Sequence, residues 1–252
     1  MSLVKTKLEI EKITKAGEIL ATALRKLADV ARPGVIINAL DELARSIIED
    51  LGGKPAFLNY RPDGATSPYP ATLCVSPNDI IVHGVPNKRV IADGDVLSID
   101  CGVIYQGYYA DAAITLAMGS VSKEDKKLIA VTKEALMRGI KATQPGNTLG
   151  DIGYAIHHYV SRKGFFVAQG LTGHGIGTHL HEEPSVFNEG KPRRGMKLQP
   201  GMVLALEPMV AIGSGEIVQL PDESYGTRNR KNAAHFEHTI VITERGPKIL
   251  TQ

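Results

Sequence analysis

ADGDVLSIDCGVIYQGYYADAAITL, residues 92–116, reads as two apolar runs joined by Gln106-Gly107. A Gly-containing pair between such runs is a two-residue turn, so the stretch predicts an antiparallel hairpin. With that turn Asp100 faces Ala113 and Asp111 faces Gly102. The two-residue alternation of a strand then puts both carboxylates on one side of the sheet, as diagonal neighbours roughly 7 Å apart. Aspartates on strands are ordinarily solvated. Here Val96, Leu97, Ile99, Val103 and Ile104 leave the first strand little polar face, and two adjacent acids repel unless a cation lies between them. The hairpin therefore predicts both a sheet and a site.

Helical patterns flank it. From Glu9 to Val30 the residues Ile10, Ile13, Leu20, Leu24 and Leu27 form one apolar stripe, ended by Pro33-Gly34. Asn38 to Leu51 repeats the pattern with Leu40, Leu43, Ile47 and Ile48 inward, and Gly52-Gly53 stops it. At an offset of 112 residues the unit recurs: Ser122 caps a helix with Glu124 and Asp125 in its first turn, Pro33-Gly34 falls on Pro145-Gly146, Leu40 on Ile152 and Gly52 on Gly164. The turn-bounded stretches Thr72–Val75, Ile80–Val82, Val96–Ile104, Tyr108–Met118, Met202–Ala211 and His235–Thr243 read as strands. Two helix pairs, each followed by hairpins, predict an α+β fold in which a curved, mostly antiparallel sheet carries helices on its outer face, with internal twofold pseudo-symmetry. The expected organisation is a single domain over 1–252, its halves roughly 1–120 and 121–252. Tyr60 to Pro70, rich in Pro, Gly and Ser, is a loop.

Three more candidate ligands lie downstream. His174 sits between glycines in GLTGHGIGTHLHEEPSV (170–186), where the glycines let backbone approach a bound group. Glu207 lies in the apolar strand MVLALEP, ended by Pro208, and Glu237 in the apolar strand HFEHTIVIT. A carboxylate in such a run is costly unless it is paired or metal-bound, and Arg228, Arg230 and Lys231 are possible ion-pair partners for Glu237. Asp100, Asp111, His174, Glu207 and Glu237 together are four carboxylates and one imidazole. That set suits a pair of hard or borderline divalent cations better than a structural zinc, and points to metal-assisted hydrolysis.

The 252 residues carry a formal net charge of +2, so nothing global calls for nucleic acid or an acidic membrane as partner. Cys74 and Cys101 give no disulfide framework, and the start MSLVKTKLEIEK lacks the apolar core of a signal peptide. The expectation is a soluble cytoplasmic protein.

The segments NDIIVHGVP (78–86), DGDVLSIDCGV (93–103), GYYADAA (107–113), GHGIGTHLHEEP (173–184), MVLALEPMV (202–210) and AHFEHTIVIT (234–243) occur in an order that resembles the type I methionine aminopeptidases. That family has the pita-bread fold, shared with prolidase, aminopeptidase P and creatinase. The resemblance covers nearly the whole chain, without the insertion of type II enzymes or an amino-terminal zinc-binding extension. It implies two divalent ions (Co, Mn, Fe or Zn), with Asp100 on one, Asp111 and Glu237 bridging both, and His174 and Glu207 on the other. Glu207 is further implied as general base, His181 as oxyanion donor and His83 as the group that holds the substrate backbone. The methionine pocket would be formed by Tyr69, Cys74 and Leu180, with His83 and His181 at its edge. Leu180 stands where many members have Phe, and the chain has no Trp, Tyr225 being the aromatic nearest in place. The implied substrate is the amino terminus of a peptide or nascent protein, with small second residues favoured, and the implied unit is a monomer with no membrane and no specific nucleic-acid partner. An Xaa-Pro peptidase of the same fold is one alternative. Another is a homologue that binds nucleic acid or ribosomes through the basic clusters at Lys5 and Lys7, Lys191 to Arg194 and Arg228 to Lys231, although such runs are more often solvated faces.

Overall fold

The computed structural model describes residues 2–61 and 66–252; residues 62–65 of the Tyr60 to Pro70 loop lie outside the described residues. Helix α1 spans Lys7–Val30 and begins earlier than its apolar stripe, because Thr6 and Glu9 form a reciprocal capping box. Helix α2 spans Ile37–Asp50, α3 spans Lys123–Ala142 behind its cap Ser122, and α4 spans Leu149–Arg162. The 112-residue offset fits the observed boundaries: Ile37 maps to Leu149, Asp50 to Arg162, and the short strand β1 (Lys54–Pro55) to β6 (Phe166–Val167). Gly34 and Gly146 have φ of 94° and 86°, and Gly52 and Gly164 have 80° and 83°, a left-handed turn that glycine makes without strain.

Strands β2 (Leu73–Pro77), β4 (Val96–Tyr105) and β5 (Tyr108–Ala117) form a sheet with β1, while β3 (Ile80–Val82) pairs with β12 (Tyr225–Thr227), which also pairs with β11 (Ile217–Gln219). The five-stranded sheet runs β15 (Gly246–Ile249), β14 (His238–Thr243), β9 (Val203–Leu206), β7 (Thr172–Gly175) and β8 (Glu182–Phe187). A last sheet joins β13 (Ala233–His235), β10 (Met209–Ala211) and β6. Every pairing between these strands is antiparallel. Among the described residues, the two larger of three buried apolar clusters join helices to sheets. Leu20, Leu24, Leu40 and Ile48 of the first helix pair pack with Ile99, Cys101 and Val103 of β4, and Leu136, Ile140, Ile152 and Val160 of the second pair pack with Leu204, Leu206, Val210 and Ile240.

The hairpin has the expected register, with Asp100 opposite Ala113 and Gly102 opposite Asp111. The two apolar stretches that hold the glutamates are not continuous strands. Leu206 pairs with His238 in the five-stranded sheet and Met209 pairs with His235 in the next, so both chains change sheets across Glu207-Pro208 and Phe236-Glu237. Pro208 has no N–H to give to a ladder, which accounts for one break. At the other, Glu237 turns to β5: its N–H donates to Ala113 O at 2.9 Å. Threonines extend that seam on either side. Thr115 Oγ1 accepts from His235 N–H and donates to His235 O, and Thr239 Oγ1 accepts from Asp111 N–H and donates to Asp111 O. The hairpin of the first half is thus stitched to residues 235–239 of the second, and the stitch sets Asp111 beside Glu237.

Candidate metal centre

Asp100, Asp111, His174, Glu207 and Glu237 all line one cleft of 1610 Å³ between the two halves, as do His83, His181, Tyr69, Cys74 and Leu180. Donor atoms of Asp111, His174 and Glu237 lie within 4.8 Å of one another, and so do those of Glu207, His235 and Glu237. His174 Nε2 is 3.5 Å from Glu207 Oε1. The other ring nitrogen of His174, Nδ1, is 2.9 Å from Gly175 O; as donor to that carbonyl it leaves Nε2 with the lone pair a metal ligand needs. A Cβ at Gly173 would sit 2.3 Å from Ala205 O, and one at Gly175 2.1 Å from Glu183 O, so both glycines make room for neighbouring backbone.

Among the described residues, Asp100 Oδ1, Asp111 Oδ1 and Glu237 Oε1 are buried with no hydrogen-bond partner. Arg228 and Arg230, two of the three expected alternative partners of Glu237, instead meet Glu216 and Asp79. Burial raises the pKa of all four carboxyls: Asp100 and Glu207 to about 7, and Asp111 and Glu237 well above the ordinary range, with neighbouring carboxylates pushing Asp111 and Glu237 further. Buried oxygens without partners on mutually repelling acids fit divalent cations, whose charge compensates both costs.

His83 has φ of 61° and packs edge-on against Tyr225 with ring centroids 5.9 Å apart, which gives Tyr225 a place at the cleft in a chain without Trp. Burial lowers its pKa to about 4. His181 stands edge-on to His174 at 4.5 Å, and its pKa is lowered to about 3 by burial and then by His174 and His83. Tyr69 donates to Leu73 O or Gly84 O, at 3.0 and 2.9 Å, so its ring is fixed to the scaffold. Leu180 and Cys74 are buried in the first core with one side on the cleft.

Two residues of the site escape the sequence reading. His235 is buried, with Nε2 3.4 Å from Glu207 Oε2 and 3.9 Å from Glu237 Oε2, and neither ring nitrogen has a hydrogen-bond partner among the described residues. Its signal was the two-residue spacing from Glu237, which places side chains on one face of an extended chain. Tyr60 reaches from the loop to His181 Nδ1 at 2.9 Å, and nothing in the loop composition marks it.

Comparison with known proteins gives the same frame. Residues 11–244 match the profile of metallopeptidase family M24. The chain is 46% identical to the methionine aminopeptidase of Aquifex aeolicus, over 97% of this chain and 96% of that one. It is 41% identical to methionine aminopeptidase 1 of Bacillus subtilis over the full length of both. The crystal structure of the methionine aminopeptidase of Thermotoga maritima superposes with a TM-score of 0.95 at 43% identity, covering 99% of this chain and 98% of that chain. Prolidase from Pyrococcus furiosus shares the fold, with a TM-score of 0.80 at 23% identity, 99% of this chain covering 65% of that one. The fold is therefore the pita-bread fold, and the chain belongs to metallopeptidase family M24.

Proposed function

We propose that this protein removes the initiator methionine from peptides and nascent proteins by hydrolysis assisted by two divalent ions, acting in the cytoplasm as a monomer and as one catalytic domain of two related halves. The observation that carries the reading is the convergence of four carboxylates, Asp111 and Glu237 buried and Asp100 and Glu207 half-buried, three of them with a buried partnerless oxygen, on His174 in a cleft walled by Tyr69, Cys74 and Leu180. Asp100, Asp111, His174, Glu207 and Glu237 would hold the divalent ions, and the position of Asp111 and Glu237 side by side at the seam of the halves supports a role for both in binding more than one ion. Bound divalent ions, for which Mn, Fe, Co and Zn all suit these donors, lower the pKa of a water and polarise the scissile carbonyl.

The chain's own groups do the rest. Glu207 Oε2, the oxygen away from His174, takes the proton of the attacking water and returns it to the leaving amine. His181 donates to the oxyanion that develops on the carbonyl, and His83 holds the backbone of the second residue. Tyr69, Cys74 and Leu180 receive the methionine side chain in a water-poor wall, and small second residues fit best. The exposed residues Lys191, Arg193 and Arg194 offer a basic edge to the ribosome near emerging chains, which salt-sensitive co-sedimentation tests. For the main reading, metal-loaded enzyme is given Met-Ala-Ser and Xaa-Pro dipeptides. Release of methionine with little or no cleavage of Xaa-Pro is expected; preferential cleavage of Xaa-Pro would reassign the substrate.

A further inference from the structure

We propose that Tyr60 is a positioning residue that sets the tautomer of His181, an inference that rests on the oxyanion role given to His181 above. A neutral imidazole has one N–H and one lone pair, so His181 donates into the cleft only if the proton is on the nitrogen facing it. The Tyr60 hydroxyl lies 2.9 Å from His181 Nδ1, and the rings meet edge-on at 5.3 Å. Nδ1 is thus engaged, and Nε2 is the nitrogen left for substrate. If Tyr60 O–H donates to Nδ1, the ring proton must sit on Nε2, and His181 is a donor. If Nδ1–H donates to the phenol oxygen, Nε2 presents a lone pair that repels an oxyanion.

Chemistry favours the first arrangement, because a phenol is the more acidic partner and an imidazole nitrogen the more basic one. The same contact fixes the ring's orientation, since a half-turn about its second side-chain torsion would replace Nδ1 by a carbon. Tyr60 is itself held on both sides: its N–H donates to Phe57 O and its carbonyl accepts from Tyr69 N–H, each at 2.8 Å. The loop that the sequence marks only as long therefore delivers one hydroxyl to a defined place.

The test is long-range nitrogen–proton NMR of the histidine rings in zinc-loaded wild type and Tyr60→Phe, with His181 assigned by loss of its signals in His181→Ala. In wild type, His181 should be protonated at Nε2 with Nδ1 a hydrogen-bonded acceptor. In Tyr60→Phe the Nδ1 resonance should move downfield and the Nδ1–H form should appear. The kcat should fall about 3- to 10-fold with KM nearly unchanged, the range one neutral hydrogen bond supplies. A wild-type ring protonated at Nδ1, or identical spectra in Tyr60→Phe, overturns the proposal even if His181→Ala is inactive. An Nε2–H ring together with near-normal turnover of His181→Ala overturns the oxyanion role, and Tyr60's part in turnover with it.

Discussion

Glu207 has a histidine beside each of its oxygens, His174 at Oε1 and His235 at Oε2, at 3.5 and 3.4 Å. Only His174 has its second nitrogen tied to a carbonyl, so the two rings are not equivalent: one is prepared as a ligand, and the other acts on the carboxylates around it. Replacing His235 by Leu, which keeps bulk and removes both nitrogens, should weaken metal binding about 10- to 100-fold in calorimetric titration, the usual cost of losing such support. His235→Gln, with an amide N–H near the place of Nε2, should lose less. Equal affinity in wild type and His235→Leu would mean that the ring only fills space. The five residues proposed as ligands were legible as candidates because an acid inside an apolar run, or a histidine between glycines, stands out against its neighbours. His235 was not, because beside Glu237 in the same run it reads as one more residue of a strand.

At the scale of elements, a buried ion pair orders the segment that carries Leu180 and His181. Glu182 Oε1 accepts from Thr178 and His179 N–H at 2.7 and 3.0 Å, and Glu182 Oε2 meets Lys5 Nζ at 2.5 Å with both side chains nearly inaccessible. Lys5→Met leaves Glu182 buried without its cation. Thermal unfolding should show a loss of about 3–5 kcal/mol, the scale for breaking one side of a buried pair; a change within that of an exposed pair would place the contact in solvent. The sequence reading had put Lys5 in a basic surface cluster, since charge alone does not reveal a partner 177 residues away. The helices and the hairpin were legible for the opposite reason: their signals, capping residues, Pro-Gly breaks and the Gln106-Gly107 turn, are local. The breaks at Glu207 and Glu237 depend on which sheet each half-strand joins, and Gly-rich β7 is a strand through its pairing with β8 and β9. Short β11 and β12 gave no apolar run to find, and are held by pairing with each other and with β3.

For the molecule as a whole, the seam concentrates charge that the fold alone does not compensate. In metal-free protein the raised pKa values of Asp100, Asp111, Glu207 and Glu237 mean that the folded state binds protons the unfolded chain releases near pH 4, so this contribution to stability is full below that and is lost as pH rises through about 7 and beyond. Three histidines have the opposite sign. With His83, His181 and His238 at about 4, 3 and 4, their contribution is present above roughly 6.5 and lost as pH falls. Between about pH 6.5 and 8 the histidine contribution levels off and the carboxylates dominate the slope. The melting temperature of chelator-treated protein should therefore fall across that window, and divalent metal should flatten or reverse the slope, because cations take the place of the protons. A metal-free melting temperature that rises from pH 6.5 to 8 would contradict the account. The most direct measurement of the central claim is methionine release from Met-Ala-Ser, followed anaerobically as metal is titrated into metal-free wild type and Asp111→Ala with bound metal counted at each step. Release that grows with metal bound, a wild-type capacity of two ions, and an Asp111→Ala protein that holds neither ion and releases nothing are the expected results. Two ions retained by Asp111→Ala, or release of methionine by wild type without bound metal, would contradict it.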